Sequence, residues 1–358
     1  MNRPDDRPDD RADDRPDERS GTPPATARPA LPLVVTASPH VKGPDSTPVI
    51  MWNVVASLVP VIIAAAWFFG ISALLVIVAA TLGAVATERA IGKGGVIADG
   101  SAVITGLLLG LSLPSGLPLW MAALGSAFGI GFGKVVWGGL GENVFNPALV
   151  GRAFLQAAFP VAVTTWPSPG QGFWTLTGDL FALPFTRPDS DAITSATPLG
   201  LLKFEGKGTP LSDLVLGTTG GSAGETAALV IVAGGLYLAW RGYLNWRAPV
   251  AMLLVVAVAS AILHGIDPKK PDALFMLFSG GLMLGAVYMA TDPVTAPVTN
   301  GGRWVFGIGA GLLTVVIRVW GGLPEGVMYA LLFMNAMAPF INRVTQPRVF
   351  GTRMKAVP

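Results

Sequence analysis

The sequence predicts an all-α polytopic membrane protein of about ten transmembrane helices, arranged as two inverted five-helix repeats with broken or short helices and a long periplasmic loop. Three observations lead to this fold class. Hydrophobic residues make up 51% of the 358 residues and charged residues only 13%, whereas soluble domains carry about 25% charged residues. Ten apolar segments fill most of the chain, and a heptapeptide recurs in its two halves.

The N-terminal segment differs in composition from the rest. Residues 3–18 read RPDDRPDDRADDRPDE, a four-residue repeat of arginine, proline and acidic residues. Such a segment buries too little apolar surface to fold, so residues 1–45 are predicted to be a disordered cytoplasmic tail. It lacks the apolar stretch that follows the basic start of a signal peptide.

The apolar segments divide the remaining chain into two halves. A first five-helix repeat is predicted over 46–163, a periplasmic loop over 164–225, a second repeat over 226–343 and a basic cytoplasmic tail over 344–358. Several segments are shorter than the ~20 residues that cross a bilayer. They are also rich in glycine and proline, so broken helices lining a protein-buried site are expected. The predicted helices are 49–69, 71–90, 99–114, 118–137, 144–163, 226–240, 248–263, 274–290, 304–320 and 326–342.

The orientation follows from the basic residues of the short loops. With both termini in the cytoplasm, the outer short loops receive only Lys269 and Lys270. The positive-inside rule favours this arrangement, and it places the loop 164–225 outside the membrane. The inner side receives Arg89, Lys93, Lys134, Arg241, Arg247, Arg303, Arg343, Arg348, Arg353 and Lys355.

An internal repeat supports the inverted arrangement. VWGGLGE, Val136 to Glu142, recurs as VWGGLPE, Val319 to Glu325, with six of seven residues identical. The first copy starts in the fourth predicted helix and the second in the ninth. The odd number of helices between them implies opposite orientations, as in transporters with a functional site near the pseudo-two-fold axis. From this architecture alone, a secondary transporter or channel for a small polar solute, like the urea transporters, is one hypothesis.

The composition restricts the chemistry. The chain has no cysteine, which excludes disulfides, cysteine-ligated zinc and ordinary iron–sulfur clusters. Its two histidines, His40 and His264, provide no pair for a b-type haem or a histidine metal site. An electron carrier held by this chain would therefore be organic.

The loop contains a cluster of small and hydroxyl residues, DAITSATPLG, at 191–200. Ser195 and Ala196 are small, and Pro198 biases Thr197 toward an extended backbone that presents its hydroxyl. No histidine or lysine adjoins Thr197 to activate it, so we expect an acceptor for another enzyme rather than a nucleophile. The alternative is a loop turn or helix cap, for which these residues are common.

The heptapeptide DAITSAT resembles the flavinylation motif Asp-x-x-(Ser/Thr)-(Gly/Ser)-Ala-Thr, at which an FMN transferase joins FMN through its phosphate to the last threonine. The resemblance implies a covalent FMN phosphoester at Thr197. It also implies that Thr194 and Ala196 form the recognition element and that Asp191 anchors the motif. Ser195 stands where glycine is usual, a small-for-small change.

A second resemblance rests on four longer stretches: DGSAVITGLLLGLSLP, GENVFNPALVGRAF, GAVYMATDPVTAPVTNGGR and PEGVMYALLFMNAMAPFINR. These stretches resemble the NqrB/RnfD family, whose members belong to Rnf electron-transport complexes and to the sodium-pumping NADH:quinone reductase. The likeness covers residues 45–345.

The family resemblance implies a membrane component of an ion-translocating ferredoxin:NAD oxidoreductase in the bacterial inner membrane. Electrons would pass between FMN on Thr197 and a buried, non-covalent flavin such as riboflavin, coupled to Na⁺ or H⁺ translocation. The implied partners are the other subunits of a six-subunit Rnf complex, an FMN transferase and the lipid bilayer. The sequence has no GxGxxG after a strand and no P-loop, so NADH and ferredoxin are expected to react elsewhere in the complex.

Ionisable residues within or against the predicted helices are functional candidates, since they are costly in a membrane. Glu142, Arg152 and Asp292 are the candidates for an ion or flavin path, with snorkelling or helix capping as the alternative. Arg152 lies two turns into a predicted helix and is expected to have a carboxylate or flavin partner. The full set is Glu88, Asp99, Lys134, Glu142, Arg152, Asp292 and Arg318.

Two glycine-rich stretches, 125–133 and 300–304, could provide a slot for the buried flavin. Glycine also allows membrane helices to pack closely, and this is the alternative for each of these glycines.

Overall fold

The computed structural model describes residues 45–92, 99–170, 172–184, 195–225 and 228–347. The elements within these ranges are all helical, which confirms the predicted all-α class. The predicted tails, 1–45 and 344–358, lie almost entirely outside the described residues. The helices are α1 (Thr47–Ile91), α2 (Ser101–Ser112), α3 (Leu119–Gly133), α4 (Pro147–Ala158), α5 (Pro160–Thr164), α6 (Pro198–Gly200), α7 (Leu211–Leu216), α8 (Ala228–Trp240), α9 (Arg247–Ile266), α10 (Ala273–Phe278), α11 (Leu282–Leu284), α12 (Asn300–Trp320) and α13 (Val327–Thr345), with a 3-10 turn at Val135–Trp137 and π turns at Leu201–Glu205 and Gly285–Met289.

Several helices have the length and apolarity of membrane spans. Five do so in the described part of the chain: Thr47–Ile91, Leu119–Trp137, Arg247–Ile266, Asn300–Trp320 and Val327–Thr345. The apolar helices α2 and α8 are shorter, with 12 and 13 residues. At about 1.5 Å per residue they cover less than the ~30 Å of a hydrocarbon core. The helices are those of a polytopic membrane protein, while the count of ten spans and the inverted repeat stay predictions.

α1 joins the first two predicted helices across a kink. The element has 45 residues and one residue with non-helical angles, Gly70, at φ 70° and ψ −161°. A Cβ at Gly70 would lie 2.8 Å from the carbonyl oxygen of Phe173, and the amide of Ile71 donates to that oxygen at 2.8 Å. The kink therefore needs glycine for both its backbone angles and its close contact with the loop.

Two other predicted helices are broken. The segment predicted at 144–163 forms α4 and α5, separated at Phe159, whose φ is −134° and ψ 57°. The segment predicted at 274–290 forms α10, α11 and the π turn Gly285–Met289, with Gly280 at φ 65° between the two helices. These breaks expose helix-end carbonyls inside the protein, where arginine and lysine side chains can bind them.

The glycines of 125–133 serve close helix packing. A Cβ at Gly125 would lie 2.4 Å from Leu155 Cδ1, and one at Gly129 would lie 2.4 Å from the carbonyl oxygen of Pro147. Both contacts are with α4, so protein fills the space beside these two glycines. In the second glycine-rich stretch, a Cβ at Gly302 would meet Pro297 Cβ at 2.9 Å. These contacts favour the packing alternative over a flavin slot.

The loop before α8 covers the end of α2. The amide of Ala223 donates to Leu113 O at 3.2 Å, and the amide of Gly224 donates to Leu111 O at 2.7 Å. These bonds satisfy carbonyls at the C-terminal end of α2. They also fix the backbone immediately before Glu225.

A lysine attaches the middle of the same loop to the end of α12. Lys203 Nζ donates to the carbonyl oxygens of Arg318 at 3.0 Å, Gly321 at 2.5 Å and Leu323 at 2.9 Å. An ammonium group at a helix C-terminus is favourable because it meets unpaired carbonyls and the negative end of the helix dipole. The loop is thereby held next to the segment that carries Glu325.

A buried ion pair connects α1 to the end of α3. Lys134 Nζ donates to Glu88 Oε1 and, at 2.5 Å, to Ser101 Oγ. Both charged side chains are only 3% exposed. Removing one partner of such a pair leaves an uncompensated buried charge.

We expect Lys134→Met to lower the free energy of unfolding by about 3–5 kcal/mol, because Glu88 would stay buried without its partner. The measurement is unfolding of the purified protein in mixed micelles by increasing SDS. Lys207→Met is the matched control: Lys207 pairs with Glu205, but its side chain is 73% exposed, so its loss should cost at most about 1 kcal/mol. Equal losses for the two variants would contradict the assignment.

Candidate functional site

Thr197 is the N-cap of the single turn α6. Its φ of −67° and ψ of 152° are the extended backbone predicted from Pro198. Its Oγ1 accepts a hydrogen bond from the amide of Gly200 at 3.1 Å, so the capping alternative is also realised. A cap occupies one lone pair of the hydroxyl oxygen and leaves its proton available. The hydroxyl group can therefore cap the helix and still accept a group transferred by another enzyme.

The residues before Thr197 are attached to another part of the loop. The amide of Ser195 donates to Trp166 O at 2.8 Å, and Ser195 Oγ lies 3.3 Å from the same oxygen. Ala196 is exposed. Asp191 and Thr194, the other predicted motif residues, lie outside the described residues, so their roles stay predictions.

A cavity of about 710 Å³ lies beside Thr197. Ligand sites typically measure about 300–1,000 Å³. Its lining combines the motif with residues of both halves of the chain. The lining residues are Arg152, Gln156, Thr164, Thr165, Trp166, Ser195, Ala196, Thr197, Leu199, Gly200, Phe204, Glu205, Glu225, Gly280, Gly322, Leu323, Pro324, Glu325, Met328 and Tyr329.

Two glutamates share one arginine in this cavity. Arg152 Nη2 lies 2.6 Å from Glu325 Oε2 and 3.9 Å from Glu225 Oε1. Glu325 Oε1 also accepts the amide of Gly281 at 2.8 Å. The arginine side chain is only 9% exposed. Of the two partners expected for Arg152, a carboxylate or a flavin, the structure shows a carboxylate.

A second arginine lies behind the pair. Arg318, on α12, is buried and donates to the carbonyl oxygens of Met276 at 2.7 Å and Ser279 at 2.9 Å. These carbonyls end the broken helix α10. The arginine thus provides hydrogen bonds for carbonyl oxygens at the end of α10 and brings a positive charge close to the two glutamates.

The two carboxyl groups lie outside the membrane-spanning helices and differ in acidity. Burial, and then the negative charge of Glu325, raise the pKa of Glu225 to about 7, although Arg152 acts against this shift. Burial also acts to raise the pKa of Glu325. The charges of Arg152 and Arg318 outweigh that effect, and together with a hydrogen bond from Glu225 they hold the pKa of Glu325 below its usual value.

A second, smaller cavity holds the candidate Asp292. Asn146 Nδ2 lies 3.4 Å from Asp292 Oδ2, which also accepts from Thr295 Oγ1 at 3.1 Å. Asn146 is the N-cap of α4, accepting from Ala148 N at 3.0 Å, as the Asn-Pro dipeptide predicts. The cavity measures about 100 Å³. The two asparagine- and aspartate-bearing segments, one from each half of the chain, therefore meet here.

Glu142 lines neither of these two cavities. It is exposed on the turn after Val135–Trp137. Its counterpart in the repeated heptapeptide, Glu325, is the one that binds Arg152. Sequence reasoning missed Glu225 and gave no role to Glu325. The only signal for Glu325 was its place at the end of the second heptapeptide.

Comparison with known proteins gives a consistent result. A model of the NQR2, RnfD, RnfE family matches residues 34–351. The D component of the proton-translocating ferredoxin:NAD(+) oxidoreductase complex of Clostridium ljungdahlii is 42% identical over 334 residues, 89% of this chain and 96% of that protein. Its Na(+)-translocating counterpart from Acetobacterium woodii is 41% identical over 334 residues, 91% of this chain and 98% of that protein.

A third relative is named without a specific ion. The D component of the ion-translocating oxidoreductase complex of Pseudomonas paraeruginosa is 40% identical over 329 residues, 88% of this chain and 95% of that protein. The family model and these near full-length alignments show that the chain belongs to the NQR2, RnfD, RnfE family.

Proposed function

We propose that this chain is the membrane subunit of an ion-translocating ferredoxin:NAD oxidoreductase that carries covalent FMN at Thr197. The observation that carries the proposal is the position of Thr197. Its side chain, at the end of a flavinylation-like motif, lines a ligand-sized cavity that also contains a buried arginine. The relatives from Clostridium ljungdahlii and Acetobacterium woodii are components of such oxidoreductases by name.

The residues that line the cavity beside Thr197 fit a bound FMN. A flavin joined through its phosphate to Thr197 has one negative charge on the phosphodiester, and Arg152 supplies a positive charge in the same cavity. Trp166, Phe204 and Tyr329 provide aromatic surface for a flat ring system. When bound, FMN supplies the ability to accept and pass on electrons one at a time. The chain's own residues position it and balance its charge.

A second, non-covalent flavin in the small cavity completes the proposed path. Asn143, Asn146 and Asp292 offer hydrogen-bonding groups there. Among the described residues of the lining, the one cationic side chain is that of Lys134, which pairs with Glu88. A lining without a free cation suits riboflavin, which has no phosphate. The volume of about 100 Å³ is below the ~300 Å³ of a small ligand site, so the cavity must widen to admit the ring.

The proposed topology connects the two sites to a transmembrane path. Both termini are cytoplasmic, and the loop 164–225 with Thr197 faces the periplasm of a bacterial inner membrane. Electrons reach FMN from another subunit of a six-subunit complex and pass inward to the second flavin, coupled to Na⁺ or H⁺ movement. An FMN transferase loads the threonine. One relative is named for protons and the other for Na⁺, so both ions are kept in the proposal.

The test is the mass of the intact protein extracted from cells that contain the FMN transferase. The wild-type mass should exceed the sequence mass by one FMN minus water, and the denatured band should fluoresce under ultraviolet light. Thr197→Val should remove both signals. Thr218→Val, which changes an exposed threonine of the same loop, should remove neither. An unmodified wild-type protein would refute covalent flavin and favour a transporter.

A further inference from the structure

One carboxyl oxygen beside Thr197 is buried without a hydrogen-bond donor. Glu325 is well satisfied, by Arg152 at 2.6 Å and by the amide of Gly281 at 2.8 Å. Glu225 Oε2 accepts from the amide of Ser222, at a long 3.3 Å. Glu225 Oε1 has no donor among the described residues. An ionised carboxylate would pay a large desolvation penalty in that position.

A proton on Glu225 removes the penalty of burying a negative charge that lacks hydrogen-bond donors. The protonated acid becomes a donor. Glu325 is close enough to act on its titration, since the negative charge of Glu325 raises the pKa of Glu225 and a hydrogen bond from Glu225 helps to lower the pKa of Glu325. Two carboxylates close to the same guanidinium nitrogen repel each other, so the pair favours one shared proton over two negative charges. The pKa values of the two groups agree with this geometry: that of Glu225 is raised to about 7, and that of Glu325 is held below its usual value.

The charge of the cavity then depends on this proton. Arg152 and Arg318 contribute two positive charges and Glu325 one negative charge. With Glu225 protonated the cluster has a net charge of +1, and with Glu225 ionised it is neutral. The other charged or titratable groups of the lining are Glu205 and Tyr329. Glu205 pairs with exposed Lys207 at the surface, so it does not stabilise either state of Glu225.

The proton has a route to water. The cavity that Glu225 lines is also lined by Phe204, which is 69% exposed, and by Glu205, which is exposed. It therefore extends from the buried pair to the protein surface. A proton on Glu225 exchanges through this cavity without crossing the helical core.

We propose that Glu225, paired with Glu325, is the proton-exchanging group of the Thr197 cavity and balances the charge of the redox group held there. The inference rests on the proposed function, because the charge that changes is that of FMN on Thr197. When a reduced flavin on a partner subunit is oxidised by one electron and the flavin held at Thr197 is reduced by it, the Glu225 carboxylate takes up one proton that bulk solvent supplies through the cavity. When that electron leaves, the Glu225 O–H bond breaks and the proton returns to the solvent.

The experiment is redox-difference infrared spectroscopy on the assembled complex, with the covalent FMN first verified by in-gel fluorescence of this subunit. We expect reduction to change the C=O band of a protonated carboxyl group, and the band to shift in D₂O. Glu225→Gln should abolish the band. Glu205→Gln, which removes an exposed carboxylate of the same cavity, should leave it unchanged. The signal should peak near neutral pH and vanish in acid, where Glu225 is protonated in both redox states.

The outcomes separate the two proposals. A subunit without a fluorescent band would refute the proposed function itself. A fluorescent subunit whose carboxyl band survives Glu225→Gln, or is lost equally in Glu205→Gln, would refute the inference alone. Glu225→Asp covers the case in which the glutamine variant fails to assemble. It keeps an ionisable group, so the band should persist at a shifted frequency, and an unshifted band would also refute the role of Glu225.

Discussion

A complex assembled with Thr197→Val is expected to lose ferredoxin-dependent NAD⁺ reduction, with the rate falling to background. The substitution removes the only hydroxyl proposed to hold FMN, so electrons have no carrier in the outer cavity. The cost in stability is small by comparison. Valine deletes the cap to Gly200, a loss of about 1 kcal/mol, and keeps a branched side chain of similar size.

This prediction is measured on purified complex, with reduction of NAD⁺ followed by absorbance and subunit content followed by gel. Thr218→Val should assemble and retain the wild-type rate. An active Thr197→Val complex that lacks the flavin would show that electrons bypass the cavity. A complex that fails to assemble would instead show that the loop is needed for subunit association, and the in-gel fluorescence of the isolated chain would then decide whether flavin is bound.

The positions of the helices follow from local sequence, but their breaks depend on distant contacts. The Asn146-Pro147 dipeptide predicts the start of α4, because an asparagine cap and a proline in the first turn are local features. The kink at Gly70 is different. It is fixed by the carbonyl oxygen of Phe173, and nothing near Gly70 in the sequence indicates that contact.

The site divides in the same way. The extended backbone of Thr197 is set by the proline that follows it, so it was predictable. The depth of Arg152 predicted a partner but not which one, because Glu325 is 173 positions away in the chain. Glu142 and Glu325 end the two copies of the heptapeptide, but only Glu142 was predicted to have a role. Glu325 pairs with Arg152, whereas Glu142 is exposed at the surface. Identical heptapeptides therefore do not make the same contacts, because these depend on the residues packed around each copy.

Arg152→Gln is expected to lower the free energy of unfolding by about 3–5 kcal/mol, as much as Lys134→Met. Glu325 would lose its hydrogen bond at 2.6 Å, and Glu225 would lose the positive charge at 3.9 Å. SDS titration in mixed micelles measures the change. The double variant Arg152→Gln/Glu325→Gln should recover part of the loss, because it removes the carboxylate that Arg152→Gln leaves without its partner.

The pH dependence of the Arg152→Gln penalty distinguishes an ion pair from simple packing. The pKa of Glu325 is held below its usual value in the folded protein, with Arg152 and Arg318 outweighing burial. A carboxyl group of this kind contributes stability above its unfolded pKa and loses it as the pH falls through its folded pKa. The penalty of Arg152→Gln should therefore be full at neutral pH and shrink on acidification. A penalty that is constant with pH and additive with Glu325→Gln would mean that the guanidinium group acts by filling space, and the charge pair would have to be abandoned.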